Sequence, residues 1–374
     1  MAASWFQRYL LPGFAFKAVV IGGGYATGRE LVEFFLPSGP RGGLFAMLFA
    51  AVIWSVVCIA TFLFARATHS EDYRTFFRHL LGRGWIVFEM AYCLFIVLIL
   101  AVFGAAAGAI GAALFGWTSL VGTLCLLFGI ALFVAFGNTS VEQLFKWVSF
   151  FLYGVYAVFV VLSLNAFGDR IGEKFALEVP SDGWVIAGIT YAGYNIVGAV
   201  IILPVLRHLT SNRDAIIAGA LSGPLAMIPA LLFFICMVAY YPEIGTESLP
   251  SDFLLQRLDA PLFHGIFQLM IFAALLESGT GSVHAVNQRI AQVWQARTGR
   301  PLSARARFIA AGVLLVLAML LADRFGLVTL IARGYRALAY VLIVVYVVPL
   351  LTYGVWRLWT RQGIAADHTK QHAG

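Results

Sequence analysis

Six ionisable side chains stand where such groups are expensive. Arg29, Glu30 and Glu33 follow directly on the stretch Gly22-Gly23-Gly24-Tyr25-Ala26-Thr27-Gly28, inside a run that is otherwise apolar from about 13 to 37. Glu277 sits midway along an apolar run at about 263–288, and Arg333 and Arg336 lie in another at about 326–357. Charged groups in hydrocarbon face a cavity, a partner or a pathway. At about 1.5 Å of rise per helical residue, the six fall in one layer, from the outer half to the middle of the membrane. Three acids and three bases admit two readings. One is a set of structural ion pairs, with Arg29 and Glu33 at i,i+4 spacing. The other is an outer gate that closes over a solute, in which the guanidinium fork of Arg29 or Arg336 can also clamp a carboxylate. Glu277 and His284, two turns apart on one helix face, are candidates to carry a proton. Glu89 and Lys17 lie near the inner interface, where long side chains snorkel.

The glycines raise a second question. Each glycine weakens a helix by about 1 kcal/mol relative to alanine, and non-helical backbone at membrane depth survives only inside protein or beside a wet cavity. An unwound segment offers carbonyls to a cation, and the half-helix beyond it offers free N–H groups to an anion. Gly23, Gly24, Tyr25, Thr27 and Gly28 are therefore candidate solute contacts. A second apolar run, at about 183–206, carries Gly193-Tyr194-Asn195-Ile196-Val197-Gly198, which adds Tyr194 and Asn195; Tyr191 is a weaker candidate. The run at 263–288 carries Ser278, Thr280 and Ser282 beside Glu277. With the carbonyl of Gly22, these hydroxyls suit a hard monovalent ion. The coupling ion is then Na+, or H+ if Glu277 or His284 titrates; no other cofactor is expected. The plainer reading has the glycines allowing close helix packing and the hydroxyls bonding back to their own helix.

The elements that must position these residues are membrane helices. Of the 374 residues 61% are hydrophobic and 11% charged, against roughly 25% charged in a soluble domain. Apolar runs near the ~20 residues needed to cross a bilayer occur at about 13–37, 43–66, 84–115, 119–137, 143–167, 183–206, 214–241, 263–288, 306–323 and 326–357. The net charge of +7 is topological and does not mark a nucleic-acid partner. With the N-terminus in the cytoplasm, seventeen of the 25 Lys and Arg fall on the inner side, in connections or at span ends, and five (Arg41, Arg170, Lys174, Arg257, Arg324) on the outer side, as the positive-inside rule requires. Both termini are then cytoplasmic, with residues 358–374 as a tail. Cys58, Cys93, Cys125 and Cys236 all fall in apolar runs without metal-ligand spacing, and the N-terminus lacks the pattern of a cleavable signal.

Ten spans divide into five and five, 13–167 and 183–357. An odd number per half inverts the second half in the membrane. The first span of each half is then the one with the glycine interruption, which is the sequence mark of a secondary-transporter binding site. At this point the chain resembles a family. The segment Gly-Gly-Gly-Tyr-Ala-Thr-Gly-Arg-Glu, the ten spans and the interrupted spans 1 and 6 are similar to the YkvI-type bacterial membrane proteins. These group with the amino acid–polyamine–organocation transporters of the LeuT-like fold. The resemblance implies an all-α integral membrane protein of about ten helices in a five-plus-five inverted repeat, with helices 1 and 6 broken. It further implies a bacterial plasma membrane location and a solute site among spans 1, 3, 6 and 8 worked by alternating access. Relatives pair an arginine on span 1 with an acid on span 10; this chain has arginines on span 10, so that gate does not carry over unchanged.

The expected function is secondary active transport of a small polar solute, an amino acid or a related amine or organic acid, coupled to a cation. Its partners are that solute and the bilayer. A sensor that keeps the fold and binds without flux is the rival. An enzyme would need a nucleophile with a base, a metal cluster or a phosphate loop, and no such spacing occurs.

Overall fold

The computed structural model describes residues 4–136 and 138–360, and every regular element among them is helical. In chain order these are α1 (Leu11–Val20), α2 (Gly23–Ala26), α3 (Arg29–Phe35), α4 (Gly39–Thr68), α5 (Tyr73–Leu81), α6 (Trp85–Phe115), α7 (Ser119–Phe136), α8 (Asn138–Ala176), α9 (Trp184–Asn195), α10 (Gly198–Ile201), α11 (Asn212–Val238), α12 (Pro250–Arg257), α13 (Pro261–Thr298), α14 (Ala304–Thr329) and α15 (Arg336–Leu342). Wide, π-helical turns at Leu330–Tyr335, Ile343–Val347 and Leu350–Gly354 flank α15.

Among the described residues, seven helices are long and apolar enough to cross a membrane. Four of the seven are composite, Trp184–Ile201 joining α9 to α10. The stretch Arg305–Thr360 counts as one helix of 56 residues, about 84 Å at 1.5 Å per residue, far longer than a ~30 Å hydrocarbon core. Gly326, with φ 69° and ψ 168°, breaks it near the middle. Arg29–Thr68 likewise joins α3 to α4 through Gly39 at φ 74°, and Tyr73–Phe115 joins the short amphipathic α5 to α6. The apolar stretch Ser119–Val134 is shorter, and the first expected span is divided among α1, α2 and α3.

Local chemistry sets these limits. Ser211 caps α11 and Asp214 bonds back to the backbone of Ser211, a reciprocal capping box. Proline enters the first turn of α4, α12 and α13, where its missing N–H costs nothing. In the middle of the molecule α4 lies between α9 and α11. It approaches them through positions without side chains. A Cβ on Gly219 would come 2.6 Å from the backbone N of Ile59, and one on Gly188 would come 2.8 Å from the carbonyl O of Ala46. With lipid on the outside there is little hydrophobic drive between helices, and such close approach supplies the packing energy. Trp54 of α4 donates from Nε1 to the carbonyl of Ala192 at 3.2 Å, tying α4 to α9 beside the site.

Candidate functional site

The path through the first span is interrupted twice. α1 ends at Val20, Ile21 leaves the helix at ψ 74°, and Gly22 is extended at φ −89°, ψ 179°. One helical turn follows as α2. Gly28 then takes φ 79°, ψ −8° before α3 begins, a left-handed conformation that costs a residue with a Cβ about 1–2 kcal/mol. The carbonyl of Thr27, freed by this turn, accepts from the backbone N–H of Ser251 at 3.0 Å.

The second interruption is milder than the glycine pattern of 193–198 suggests. α9 runs through Gly193 and Tyr194 to Asn195. Ile196 keeps φ −64°, ψ −18° and Val197 φ −54°, ψ −28°. The chain tightens there into i→i+3 bonds, Ala199 to Ile196 and Val200 to Val197, and ends in a 3-10 helix at Leu203–His208. The reason lies in what the glycines touch. A Cβ on Gly193 would sit 2.9 Å from Ile343 Cδ1, and one on Gly198 would sit 3.1 Å from the ring of Phe16. Both glycines admit neighbouring spans, and the helix is interrupted between them at Ile196–Val197, where α9 ends and α10 has not begun.

The seven-residue α3 sends its charges in two directions. Arg29, 6% exposed, points to the face that carries the connections at 168–182 and 242–262, which the charge asymmetry assigns to the outside. Its guanidinium donates to the carbonyls of Gly245 (3.1 Å) and Glu247 (2.8 Å) and to Glu33 Oε2 (2.9 Å). Arg336 reaches the other oxygen of Glu33 at 3.5 Å. Glu30, one residue on from Arg29, turns inward. It is 5% exposed, and the hydroxyl of Tyr194 donates to its Oε2 at 2.5 Å. Tyr194 is sandwiched by Tyr335 (centroids 4.6 Å) and Phe34 (5.5 Å). Glu30, Tyr194, Asn195, Gly22, Phe103 and Tyr335 are among the residues lining a cavity of about 20 Å³, room for about one water. Asn195 donates to the carbonyl of Tyr191, one turn earlier.

The six membrane-layer charges therefore do not form one cluster. Arg29, Glu33 and Arg336 meet beside the connection at 242–262, Glu30 faces the centre, Arg333 is exposed, and Glu277 interacts electrostatically with Tyr153 of α8. Of the hydroxyls on α13, Ser282 donates back to the carbonyl of Ser278 at 2.9 Å, the ordinary membrane role. Thr280 is fully buried and its hydroxyl has no partner among the described residues. α2 packs against α13. His284 pairs with Gln288 at 2.8 Å. Tyr25 and Thr27 are buried beside the break, and the backbone of Gly23 and Gly24 forms the start of α2. No group of three or more metal-ligating side chains occurs among the described residues.

Sequence reasoning missed two ion-pair forks. Arg8 forms a fork with Asp214, Nε to Oδ2 at 3.0 Å and an amino group to Oδ1 at 2.7 Å. Arg289 forms another with Glu89, at 2.9 and 3.0 Å. Glu89 is thus paired rather than snorkelling, whereas Lys17 lies over the ring of Tyr153 at 4.2 Å. The sequence Ser211-Asn212-Arg213-Asp214 was a readable cap signal. Nothing in it named Arg8 as its partner, 206 residues away. Phe103 and Tyr335 were also missed, since aromatics fill 15% of the chain.

No protein-family model matches the sequence. The fold is that of LeuT-like membrane proteins. The structure of MhsT in complex with L-phenylalanine matches with TM-score 0.60 at 18% identity, over 95% of this chain and 88% of that one. Mhp1, a nucleobase-cation-symport family transporter closed around bromovinylhydantoin, gives 0.59 at 14% identity over 92% and 77%. A manganese transporter of Eremococcus coleocola gives 0.56 at 14% identity over 92% and 78%. By sequence the chain resembles the membrane protein YkvI of Bacillus subtilis (strain 168), itself uncharacterised, at 24% identity over 281 residues, 74% of this chain and 79% of YkvI.

Proposed function

We propose that this chain is a secondary transporter of a small polar solute in a bacterial plasma membrane, working by alternating access within a five-plus-five inverted repeat. The observation that carries the reading is the double interruption of the first span directly against Tyr194 and Asn195, with a buried carboxylate between them. Backbone that leaves the helix at membrane depth has to face protein or a wet cavity, and here it lines the cavity that holds Glu30. The solved proteins of like fold include transporters by their own descriptions, which supports the same reading for this chain.

In this reading the two faces carry the gates. Arg29 holds the outer connection at 245–247 down on α3, and the forks Arg8–Asp214 and Arg289–Glu89 hold the inner ends of the helices together. Both sets are made in this structure, so it stands for the closed state between two openings. Coupling is assigned to a cation between the carbonyls at Ile21–Gly22 and the hydroxyl of Thr280. A buried hydroxyl without a partner carries a cost of about 1–3 kcal/mol, which an ion would offset. The termini lie in the cytoplasm.

The experiment is uptake of labelled amino acids, amines and organic acids into proteoliposomes under an imposed sodium or proton gradient. Gradient-driven accumulation of at least one solute class is expected. Saturable binding with no accumulation under either gradient would replace the transporter by a sensor of the same fold. Thr280→Val should remove sodium dependence while Ser282→Ala leaves it; sodium dependence that survives Thr280→Val would remove that residue from the ion shell.

A further inference from the structure

The end of the molecule that the charge asymmetry assigns to the cytoplasm carries a groove of about 680 Å³. Three spans wall it: the second half of α4, the start of α11 and the last described turns of the chain, from Leu351 to Trp359. It is polar at one end and apolar along the rest. Arg66 donates from Nε to Oδ1 of Asn212 at 3.2 Å and from Nη1 to the carbonyl of Leu209 at 2.9 Å, so Arg66, Asn212 and the C-cap residue His69 share the end where α4 stops and α11 begins. Val56, Ile59, Leu63, Ile216, Leu351 and Trp359 supply the apolar walls. From Val56 to Arg66 the helix rises about 15 Å, half of a ~30 Å hydrocarbon core. The groove is therefore one leaflet deep, with its polar end at the membrane surface. Arg66 also differs from Arg8 and Arg289, which hold carboxylates. It holds only neutral acceptors, and its second amino group, Nη2, has no hydrogen-bond partner among the described residues. No Asp or Glu lines the groove, and Asp214, two residues on from Asn212, is committed to Arg8.

We propose that this groove holds an anionic phospholipid of the cytoplasmic leaflet, its phosphate on Arg66 beside His69 and Asn212 and its acyl chains along the apolar walls. Basic pockets between membrane helices on the cytoplasmic side hold acidic headgroups, and the guanidinium fork matches phosphate oxygens. The phosphate supplies the counter-charge that Arg66 lacks. The polarity of the groove, charged at the surface and apolar towards the midplane, is that of a lipid standing in its leaflet. Seated there, the lipid joins α4 and α11 to the last span. The rival occupant is the chain's own end, because residues 361–374 follow directly on Trp359 and Thr360. Its composition is against it. Ile364 is its one large aliphatic side chain, and Arg361 and Lys370 outnumber Asp367, so it brings the sign of charge that Arg66 already carries. The lipid site stands whether or not the chain moves a solute.

The test is thermal stabilisation of the full chain in detergent by added phosphatidylglycerol, against phosphatidylcholine with the same acyl chains, glycerophosphoglycerol and inorganic phosphate. Phosphatidylglycerol is expected to raise Tm, phosphatidylcholine to raise it less, and the two chainless phosphates to leave it unchanged. Arg66→Gln should raise the phosphatidylglycerol concentration for half the shift about tenfold, the loss of a hydrogen bond between charged groups. If that variant fails to fold, Ile216→Trp decides. Ile216 is exposed and lines the groove, so the larger ring fills it, leaves Arg66 untouched and should abolish the shift. Val313→Trp, at an exposed position of α14 outside the groove, should keep it. Equal stabilisation by phosphatidylcholine, stabilisation by either chainless phosphate, or a shift that survives Ile216→Trp would overturn the proposal. So would a shift that appears only after truncation at Thr360, which would give the groove to the tail.

Discussion

At the scale of single residues, the side chains that matter are those whose direction breaks the apparent pattern. Arg29 and Glu30 are neighbours in sequence and opposites in the structure: one fastens the outer connection, the other faces the central cavity. Tyr194→Phe keeps both ring stacks and removes only the hydroxyl bonded to Glu30. It should still fold, destabilised by about 1–3 kcal/mol, the cost of leaving a buried acceptor without its partner, and with solute affinity changed. Unchanged affinity would take Tyr194 out of the site. Gly28→Ala carries a different expectation. The left-handed φ adds about 1–2 kcal/mol of strain, and the new Cβ would stand 3.1 Å from Phe233 Cζ and 3.2 Å from Pro250 Cβ. Thermal unfolding should therefore shift downward; an unshifted Tm would mean that the turn at 27–28 relaxes without cost. Which residues shared the centre was only partly legible. Tyr194, Asn195, Glu30 and the glycines of the first span announced themselves because polar and flexible residues are rare in an apolar run. Phe103 and Tyr335 did not, because an aromatic in this chain looks alike whether it lines a cavity or packs against a helix.

At the scale of elements, apolar length pointed to membrane-spanning helices, seven of which are long enough among the described residues, and glycine located the first interruption, where Ile21–Gly22 and Gly28 both leave the helix. In the second half the same signal coincides with a milder break, between α9 and α10. Gly193 and Gly198 are there to admit Ile343 and Phe16, and a sequence cannot separate a glycine that bends a helix from one that receives a neighbour. The charge pairs were legible only where they are local, as in Arg29–Glu33; Arg8–Asp214 and Arg289–Glu89 join residues some two hundred positions apart. The approach of α11 to α4 gives a test at this scale. Gly219→Leu would drive a side chain into the backbone of Ile59. Overpacking of this kind costs about 1–3 kcal/mol or more, so the yield of monodisperse protein should fall sharply. Gly312→Leu, where a Cβ meets nothing within 4 Å, should not lower it. Equal yields from the two would mean that α4 and α11 are less closely apposed than described.

At the scale of the whole molecule, the closed arrangement is fastened at both faces and hinged on backbone that is already non-helical. Arg8→Ala should favour opening on one side and Arg29→Ala on the other, each by about 1.5–3 kcal/mol per charged hydrogen bond lost, tenfold or more in population. The measurement that bears most directly on alternating access needs no knowledge of the solute. Val197 is fully buried and lines the central cavity. With the native cysteines at 58, 93, 125 and 236 replaced, Val197→Cys in oriented vesicles can be labelled by a membrane-impermeant thiol reagent applied to either side. We expect slow labelling in the otherwise unaltered chain, labelling from the outer side alone with Arg29→Ala, and labelling from the inner side alone with Arg8→Ala. Simultaneous access from both sides in either variant, or none from any side, would contradict a solute site reached from one face at a time.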